Sequence, residues 1–380
     1  MAKDSKKNSR VNHFKPEEMN RFLDICSLSR EQKAAMAQGD LKSRTAMTLP
    51  IDKVKTEQVR AIAPLAWWEE LICILFLAFG PPNCVLTIPL VTTLLGFFVL
   101  HDIGRAFTIL GILLLPLAIM PQSFVPSSLN SWMSHLIIRY FSFRFAYDQP
   151  LATQHATESP HAPQILVAPP HGVFPYGNIL SLLAWPIMSG HHFLGLASSA
   201  AVKPPIFKQV LRRIGVIDAS RSTARKALEV WPFTIGISTG GVAEVYETNA
   251  EHECILLKER IGLIKLAIRT GADLLPCYLF GNTKLLSCYL PGGRLLEGLS
   301  RKVGFAMILF YGRFGLAIPY REPILGVVGK PIPTNHLGGI EEPTMEQIQE
   351  IQDQLIEAVQ DLFERYKGVY GWEDKDLIIK

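Results

Sequence analysis

The chain has 380 residues, 48% of them hydrophobic and only 19% charged, with a formal net charge of +4. Soluble domains usually carry about 25% charged residues, so either the core is unusually large or part of the chain sits in lipid. The mild positive charge excludes nucleic acid as a partner, which calls for a stronger basic bias or a recognisable binding module. The six cysteines form no Cys-x-x-Cys pair, which excludes a disulfide framework and a structural zinc site and suits a reducing, cytosol-facing compartment.

Residues 1–60 are polar, without a sustained apolar period, and read as a partly disordered cytosolic segment. A short helix is expected near 16–28. No apolar core segment occurs in the first fifty residues, so no secretory signal is expected.

The character changes over 61–125. Between 66 and 120 the only acidic, basic or His residues are Glu69, Glu70, His101, Asp102 and Arg105, and 71–100 contains none. A bilayer core takes about 20 apolar residues per helix, so this stretch has room for a transmembrane hairpin of two spans. Two breaks compete for its turn, Gly80-Pro81-Pro82-Asn83 and His101-Asp102-Ile103-Gly104-Arg105. Trp67, Trp68 and Trp132 flank the region where interfacial aromatics would sit. The run 136–145, apolar and aromatic with Arg139 and Arg144 interspersed, also suits an interfacial position.

From 126 to 380 the chain reads as one cytosolic α/β domain. Short apolar runs at 164–168, 234–237, 274–279 and 307–310 are expected to be buried strands. Helical patterns lie between them at 222–231 and 262–270. Strands alternating with helices predict a largely parallel sheet with flanking helices. Residues 149–163, rich in Pro, His, Ala and Thr, read as a surface loop. Thr344-Met345-Glu346-Gln347 is a capping box, and Ile348, Ile351, Leu355, Val359 and Leu362 follow at helical spacing along one face.

Three clusters carry chemistry. Pro169-Pro170-His171-Gly172 directly follows the first of these strands, and in open α/β sheets ligands gather at the carboxyl ends of strands. The prolines stiffen the approach, Gly172 admits close contact, and a His held there can serve as a general base near neutral pH. Gly236-Ile237-Ser238-Thr239-Gly240-Gly241-Val242-Ala243-Glu244 leaves a second strand. Gly240 and Gly241 permit close backbone approach, and Glu244 either orients His171, binds a polar substrate group or complements a helix N-terminus. The same run matches the Gly-x-Ser-x-Gly elbow of serine hydrolases, with Ser238 as nucleophile. His171 precedes Ser238, however, and the later His252 and His336 lack a glycine-bordered strand end. The third cluster, Lys258-Glu259-Arg260-Ile261-Gly262, opens a helix on which Lys265 and Arg269 share a face. Lys258 and Arg260 are suited to phosphates such as those of coenzyme A. Acyl transfer from a thioester to an alcohol needs a base and oxyanion donors. The thiolate leaves readily, so a covalent acyl-enzyme is not required.

In order, these blocks resemble the type-2 diacylglycerol acyltransferase family from about Trp132 to Tyr370. The family's His-Pro-His-Gly motif, varied in plants and algae, is similar to Pro169-Pro170-His171-Gly172. Its Gly-Gly-x-x-Glu block is matched by Gly240 to Glu244, and its Arg-x-Gly-Phe block by Arg260-Ile261-Gly262-Leu263. Its Val-Pro…Phe-Gly block resembles Leu275-Pro276 with Phe280-Gly281-Asn282, and a late glycine block resembles Pro323 to Ile332. The Pro-Pro-His-Gly form, with Phe280-Gly281-Asn282-Thr283 later, resembles algal members most. Pro169 replaces the family's first His, leaving His171 as the base. Asn282 replaces an acidic residue common in animal members. Related glycerolipid acyltransferases place an Asp five residues after the His, where this chain has Tyr176.

The resemblance implies an acyl-CoA-dependent acyltransferase that esterifies diacylglycerol to triacylglycerol, with His171 and Glu244 catalytic. Pro170, Gly172, Gly240, Gly241, Lys258, Arg260 and Asn282 are then substrate contacts. It implies no cofactor and no metal, acyl-CoA being a substrate. It also implies an endoplasmic reticulum membrane location with a cytosolic catalytic domain, and leaves room for a homo-oligomer. Relatives accept monoacylglycerol or long-chain alcohols, and the residues alone do not separate these acceptors.

Overall fold

A computed structural model describes residues 15–39, 41–80, 83–120, 123–151, 163–230, 234–247, 252–289, 309–337 and 340–380. The expected surface loop at 149–163 falls largely outside them.

In chain order the strands are β1 (Arg21–Leu23), β2 (Leu49–Pro50), β3 (Arg144–Tyr147), β4 (Gln164–Val167), β5 (Phe193–Ala197), β6 (Val216–Asp218), β7 (Thr234–Ile237), β8 (Glu253–Ile255), β9 (Asp273–Phe280), β10 (Ser287–Tyr289), β11 (Leu309–Tyr311), β12 (Leu325–Val328) and β13 (Leu377–Ile379). The helices used below are α1 (Arg30–Gln38), α2 (Leu41–Ala46), α3 (Thr56–Arg60), α4 (Trp67–Phe79), α5 (Cys84–Phe98), α6 (Ile103–Ile119), α7 (Trp132–Tyr140), α8 (Tyr176–Ser189), α9 (Pro205–Arg213), α10 (Arg221–Val230), α11 (Gly241–Val245), α12 (Ile261–Thr270) and α13 (Met345–Tyr370).

Among the described residues the main sheet has nine strands in the order β2-β1-β3-β12-β9-β4-β7-β5-β6. The run β9-β4-β7-β5-β6 is parallel throughout. On the other side β12 is antiparallel to β9, and β3 is parallel to β12. Side chains alternate between faces with the strand period of two. Ile165 and Val167 of β4, with Leu274, Tyr278 and Phe280 of β9, face α3, α10, α12 and α13. Leu166, Leu275, Cys277 and Leu279 face the opposite layer of α1, α4, α7, α8 and α9. The chain is thus α/β with a large sheet covered by helices on both faces.

α13 forms as its sequence dictates. Gln347 donates its backbone N–H to Thr344 Oγ1 at 3.3 Å, and the Gln347 side chain accepts from the Thr344 N–H at 2.9 Å. Ile348, Ile351, Leu355, Val359 and Leu362 are at most 1% exposed. Each such side chain contributes about 1.5–3 kcal/mol of burial.

Four expectations are corrected. Residues 16–28 are not one helix but a 3-10 turn, β1 and a second 3-10 turn; β1 is drawn into pairing with β3, and tertiary pairing overrides local propensity. Of the expected strand at 307–310, residues 307 and 308 lie outside the described residues. Leu309 and Phe310 join β10 in a separate antiparallel hairpin, where Leu309 is exposed. A short apolar run does not by itself reveal which sheet it enters.

The run 136–145 is not interfacial: Leu136, Ile138, Phe141 and Arg144 are buried. Arg144 donates to the Val59 and Ser142 carbonyls at 3.0 Å each and pairs with Asp24 at 3.3 Å. Arg139 pairs with Glu69 of α4 at 2.9 Å.

In place of two spans joined by one turn, both candidate breaks are used. Three helices result, α4 of 13 residues, α5 of 15 and α6 of 17. Among the described residues no helix is long and apolar enough to cross a membrane. These helices nevertheless expose apolar surface, with Trp67 78% and Ile119 74% accessible and Phe97, Phe98 and Ile112 exposed between them. Glu70 of α4 ties this layer to the sheet domain through Arg313 at 2.6 Å and Arg321 at 3.3 Å.

Candidate active site

Because β4, β7 and β9 run parallel, their carboxyl ends open at one edge of the sheet. Val167 is level with Ile237 on one side and Pro276 on the other. The loop carrying His171, the turn 238–241 and the Gly281-Asn282 corner therefore leave neighbouring strands in the same direction. The sequence supplied each piece; the parallel pairing brings them together.

The His171 loop is held at several points. The Pro169–Pro170 peptide is cis. Asn282 is 1% exposed, and its Nδ2 donates to the carbonyls of Pro170 at 2.8 Å and His171 at 2.9 Å. Its Oδ1 accepts from the Gly177 N–H at the head of α8 at 2.8 Å. Asn178 Nδ2 donates to the Ala168 carbonyl at 2.8 Å, closing the loop from the helix side. Gly172 has φ +65, and a Cβ there would lie 2.8 Å from the Asn282 carbonyl oxygen, so glycine is required on both grounds.

The His171 ring donates from Nδ1–H to the Gly172 carbonyl at 2.8 Å. A carbonyl only accepts, so the neutral ring carries its proton on Nδ1 and leaves the Nε2 lone pair for an incoming proton. Burial holds the imidazole pKa below its usual range, partly offset by the Gly172 bond, which keeps the ring neutral at neutral pH.

Glu244 in α11 is 1% exposed. One carboxylate oxygen accepts from the backbone N–H of His171, and the other from the Leu256 N–H at 3.1 Å. It therefore holds the backbone of His171; among the bonds described it makes none to the imidazole, whose Nδ1 goes to Gly172. Burial raises its pKa to about 7, opposed by these two hydrogen bonds and by Arg260. At Gly240 a Cβ would fall 2.0 Å from the Glu244 Cδ, so that glycine makes room for the carboxylate. Arg260, at the head of α12, donates from Nη2 to the Gly240 carbonyl at 3.1 Å.

The remaining sequence candidates sit differently. Pro170 is buried, and its carbonyl is taken by Asn282. Gly241 is partly exposed with φ +54. Lys258 is exposed, and its backbone joins Lys380 at 2.9 Å and Gln352 at 2.5 Å, away from the His171 loop. Arg269 lies at the far end of the ten-residue α12 and donates to the Glu341 carbonyl at 2.5 Å. Among the described residues Ser238 Oγ is buried without a hydrogen-bond partner, whereas a hydrolase nucleophile needs a base within hydrogen-bonding reach. A cavity of about 520 Å³ lined by Asp148, Lys330, Gln354 and Arg365 adjoins Pro276 and Gly329, not the His171 loop. Sequence reasoning missed Asn178 and the closing role of Asn282. The available signal for Asn178 was its place in the first turn of the helix after the loop, where Asn readily bonds nearby backbone.

The sequence profile described as "Diacylglycerol acyltransferase" matches residues 117–380. The chain is 32% identical over 228 residues to a 2-acylglycerol O-acyltransferase 1 of Bos taurus, covering 55% of this chain and 67% of that protein. It is 33% identical over 180 residues to a diacylglycerol O-acyltransferase 2B of Umbelopsis ramanniana, covering 44% and 51%. The chain thus spans about half to two thirds of the curated relatives it matches. A solved 1-acyl-sn-glycerophosphate acyltransferase, PlsC, from Thermotoga maritima aligns over 77% of this chain and 95% of that one, at 12% identity and a TM-score of 0.37, a likeness too loose to bear on the fold. The family profile covers well over half of the sequence and includes every strand-end residue described above: this chain belongs to the diacylglycerol acyltransferase family.

Proposed function

We propose that the protein is an acyl-CoA-dependent acyltransferase that esterifies diacylglycerol to triacylglycerol, with His171 as general base. The observation that carries this reading is the imidazole at the carboxyl end of β4, its Nδ1–H committed to the Gly172 carbonyl at 2.8 Å and its Nε2 left as the proton acceptor. As the acceptor hydroxyl attacks the thioester carbonyl, its proton passes to Nε2. When the tetrahedral intermediate collapses, the C–S bond breaks and the thiolate of coenzyme A leaves, receiving that proton from the imidazolium. No covalent acyl-enzyme intervenes, and the Ser238 hydroxyl, without a partner among the described residues, gives no support to a hydrolase reading.

The exposed apolar helices α4–α6 support membrane association, which a two-chain acceptor requires because its hydroxyl stays at the lipid interface. An endoplasmic reticulum membrane with the sheet domain on the cytosolic side fits the family and the free cysteines Cys26, Cys73, Cys254, Cys277 and Cys288. The relative named a 2-acylglycerol O-acyltransferase supports monoacylglycerol as a second acceptor.

The test uses membranes from a host lacking its own neutral-lipid synthesis. Labelled acyl-CoA is supplied with diacylglycerol, monoacylglycerol or hexadecanol in turn. Triacylglycerol is the expected main product, and His171→Ala should lower it by about two orders of magnitude or more. Dominant wax ester, or product from monoacylglycerol alone, overturns the acceptor; near-normal turnover by His171→Ala at equal protein level overturns the base.

A further inference from the structure

We infer that Asn282 is a positioning residue for His171, fixing the base's backbone so that the imidazole keeps the tautomer and direction needed for proton transfer. The inference rests on the reading of His171 as the base. It moves Asn282 from substrate contact to scaffold, because the amide has no donor left to offer a substrate.

Both Nδ2 hydrogens are engaged, one by the Pro170 carbonyl at 2.8 Å and one by the His171 carbonyl at 2.9 Å. Oδ1 takes the Gly177 N–H at 2.8 Å. One side chain thus joins the residue before the base, the base itself and the first turn of α8. His171 is gripped at both main-chain polar groups, the N–H by Glu244 and the C=O by Asn282. That pair fixes the peptide planes on either side of its Cα, and hence the direction of its Cα–Cβ bond. The next peptide carries the Gly172 carbonyl that selects the tautomer, and Gly172 lies directly over the Asn282 backbone.

In this chain, unlike the animal members with an acidic residue at this place, the two carbonyls take an amide and not merely a side chain of this size. Aspartate has the same shape, yet its carboxylate would turn acceptors toward two carbonyl oxygens, leaving both without a donor and adding repulsion. The charged groups nearest the loop are Glu244 of α11, on the His171 N–H, and Arg260 at the head of α12, with Glu253 of β8 behind Glu244; Lys284 following β9 faces Lys375, Glu253 and Glu322. Asn282→Ala keeps all of these charges, but Glu244 titrates in the same range and bonds the His171 N–H, so the acid limb is compared in the Glu244→Gln background, where a change reports the surroundings of His171 itself.

The experiment compares Asn282→Ala, Asn282→Asp and His171→Ala in the full chain in membranes, at matched levels of folded protein. Asn282→Ala should lower kcat roughly ten- to a hundredfold, the scale of a displaced catalytic group, with KM for acyl-CoA and for diacylglycerol near wild type. Its acid limb, compared in the Glu244→Gln background, should move up toward the ordinary imidazole range as the loosened ring becomes solvated. Asn282→Asp should not rescue activity despite its shape. Should Asn282→Asp fail to accumulate, Asn282→Ser, which also lacks the two donors, takes its place. A raised KM with an unmoved acid limb would make Asn282 a substrate contact and overturn the inference; so would wild-type kcat in any of these Asn282 variants. An active His171→Ala is distinct from both, since it removes the underlying reading of the base.

Discussion

Glu244 shows how a single buried carboxyl is kept. Two backbone N–H groups point at it, from His171 and Leu256, but burial outweighs them and its pKa rises to about 7 from an ordinary 4.5. Between those values the folded state holds the proton more firmly than the unfolded chain, so this group's contribution to stability falls as pH rises across that window. Below it both states are protonated, and above it the penalty is complete. We expect Glu244→Gln to remove this dependence, at most about 1.4 kcal/mol per pH unit, and to lower Tm at pH 5, because an amide NH2 would face one of the two N–H donors. Thermal unfolding of wild type and variant at pH 5 and pH 7 measures both effects; an unchanged difference between the two pH values in the variant would refute the assignment. Sequence reasoning found His171 and Glu244 through their places after strands. Glu244 as a partner of His171 was one of the sequence's alternatives; that the bond goes to the backbone N–H and not to the ring was not legible, because it joins residues 73 apart.

Among the elements, α13 was the most legible and β11 the least. The cap and the spacing of apolar residues in α13 are local properties, so helix, face and start all follow from adjacent residues. Its partners are not local: α13 packs on β9 and α12, with Leu355 in the layer shared with Leu274, Tyr278 and Phe363. Leu355→Ala should therefore cost about 2–5 kcal/mol, read as a lower denaturation midpoint with unchanged m. A cost near that of a surface change, within about 0.5 kcal/mol, would contradict the packing. β11 carries the same kind of apolar run as the core strands, but among the described residues pairs with β10 alone and leaves Leu309 and Tyr311 exposed.

For the molecule as a whole, the proposed membrane association rests on where the apolar surface lies. The apolar surface of α4–α6 is exposed, while 136–145, which looked interfacial by composition, is core. Trp68 stacks on Trp132 at 6.2 Å between ring centroids, where α4 meets α7. We expect the full chain to stay in the membrane pellet through alkaline carbonate extraction, and replacement of Phe97, Phe98 and Ile112 by Asp to weaken that retention, since charges oppose burial in lipid. Release of the intact wild-type chain by carbonate would count against stable insertion of these helices.

The sequence by itself determined the low-charge apolar stretch, the alternation of strands and helices, the long C-terminal helix and the glycine-bordered His171. All of these are properties of near neighbours: composition, periodicity, caps and turns. Only the tertiary structure decided that both candidate breaks in 66–120 are used and not one, that 136–145 lies inside, and that Asn282 and Glu244 grip the C=O and the N–H of His171. Those outcomes depend on which strands pair and which helix faces meet. They are set by contacts between residues distant in the chain, which no local pattern encodes.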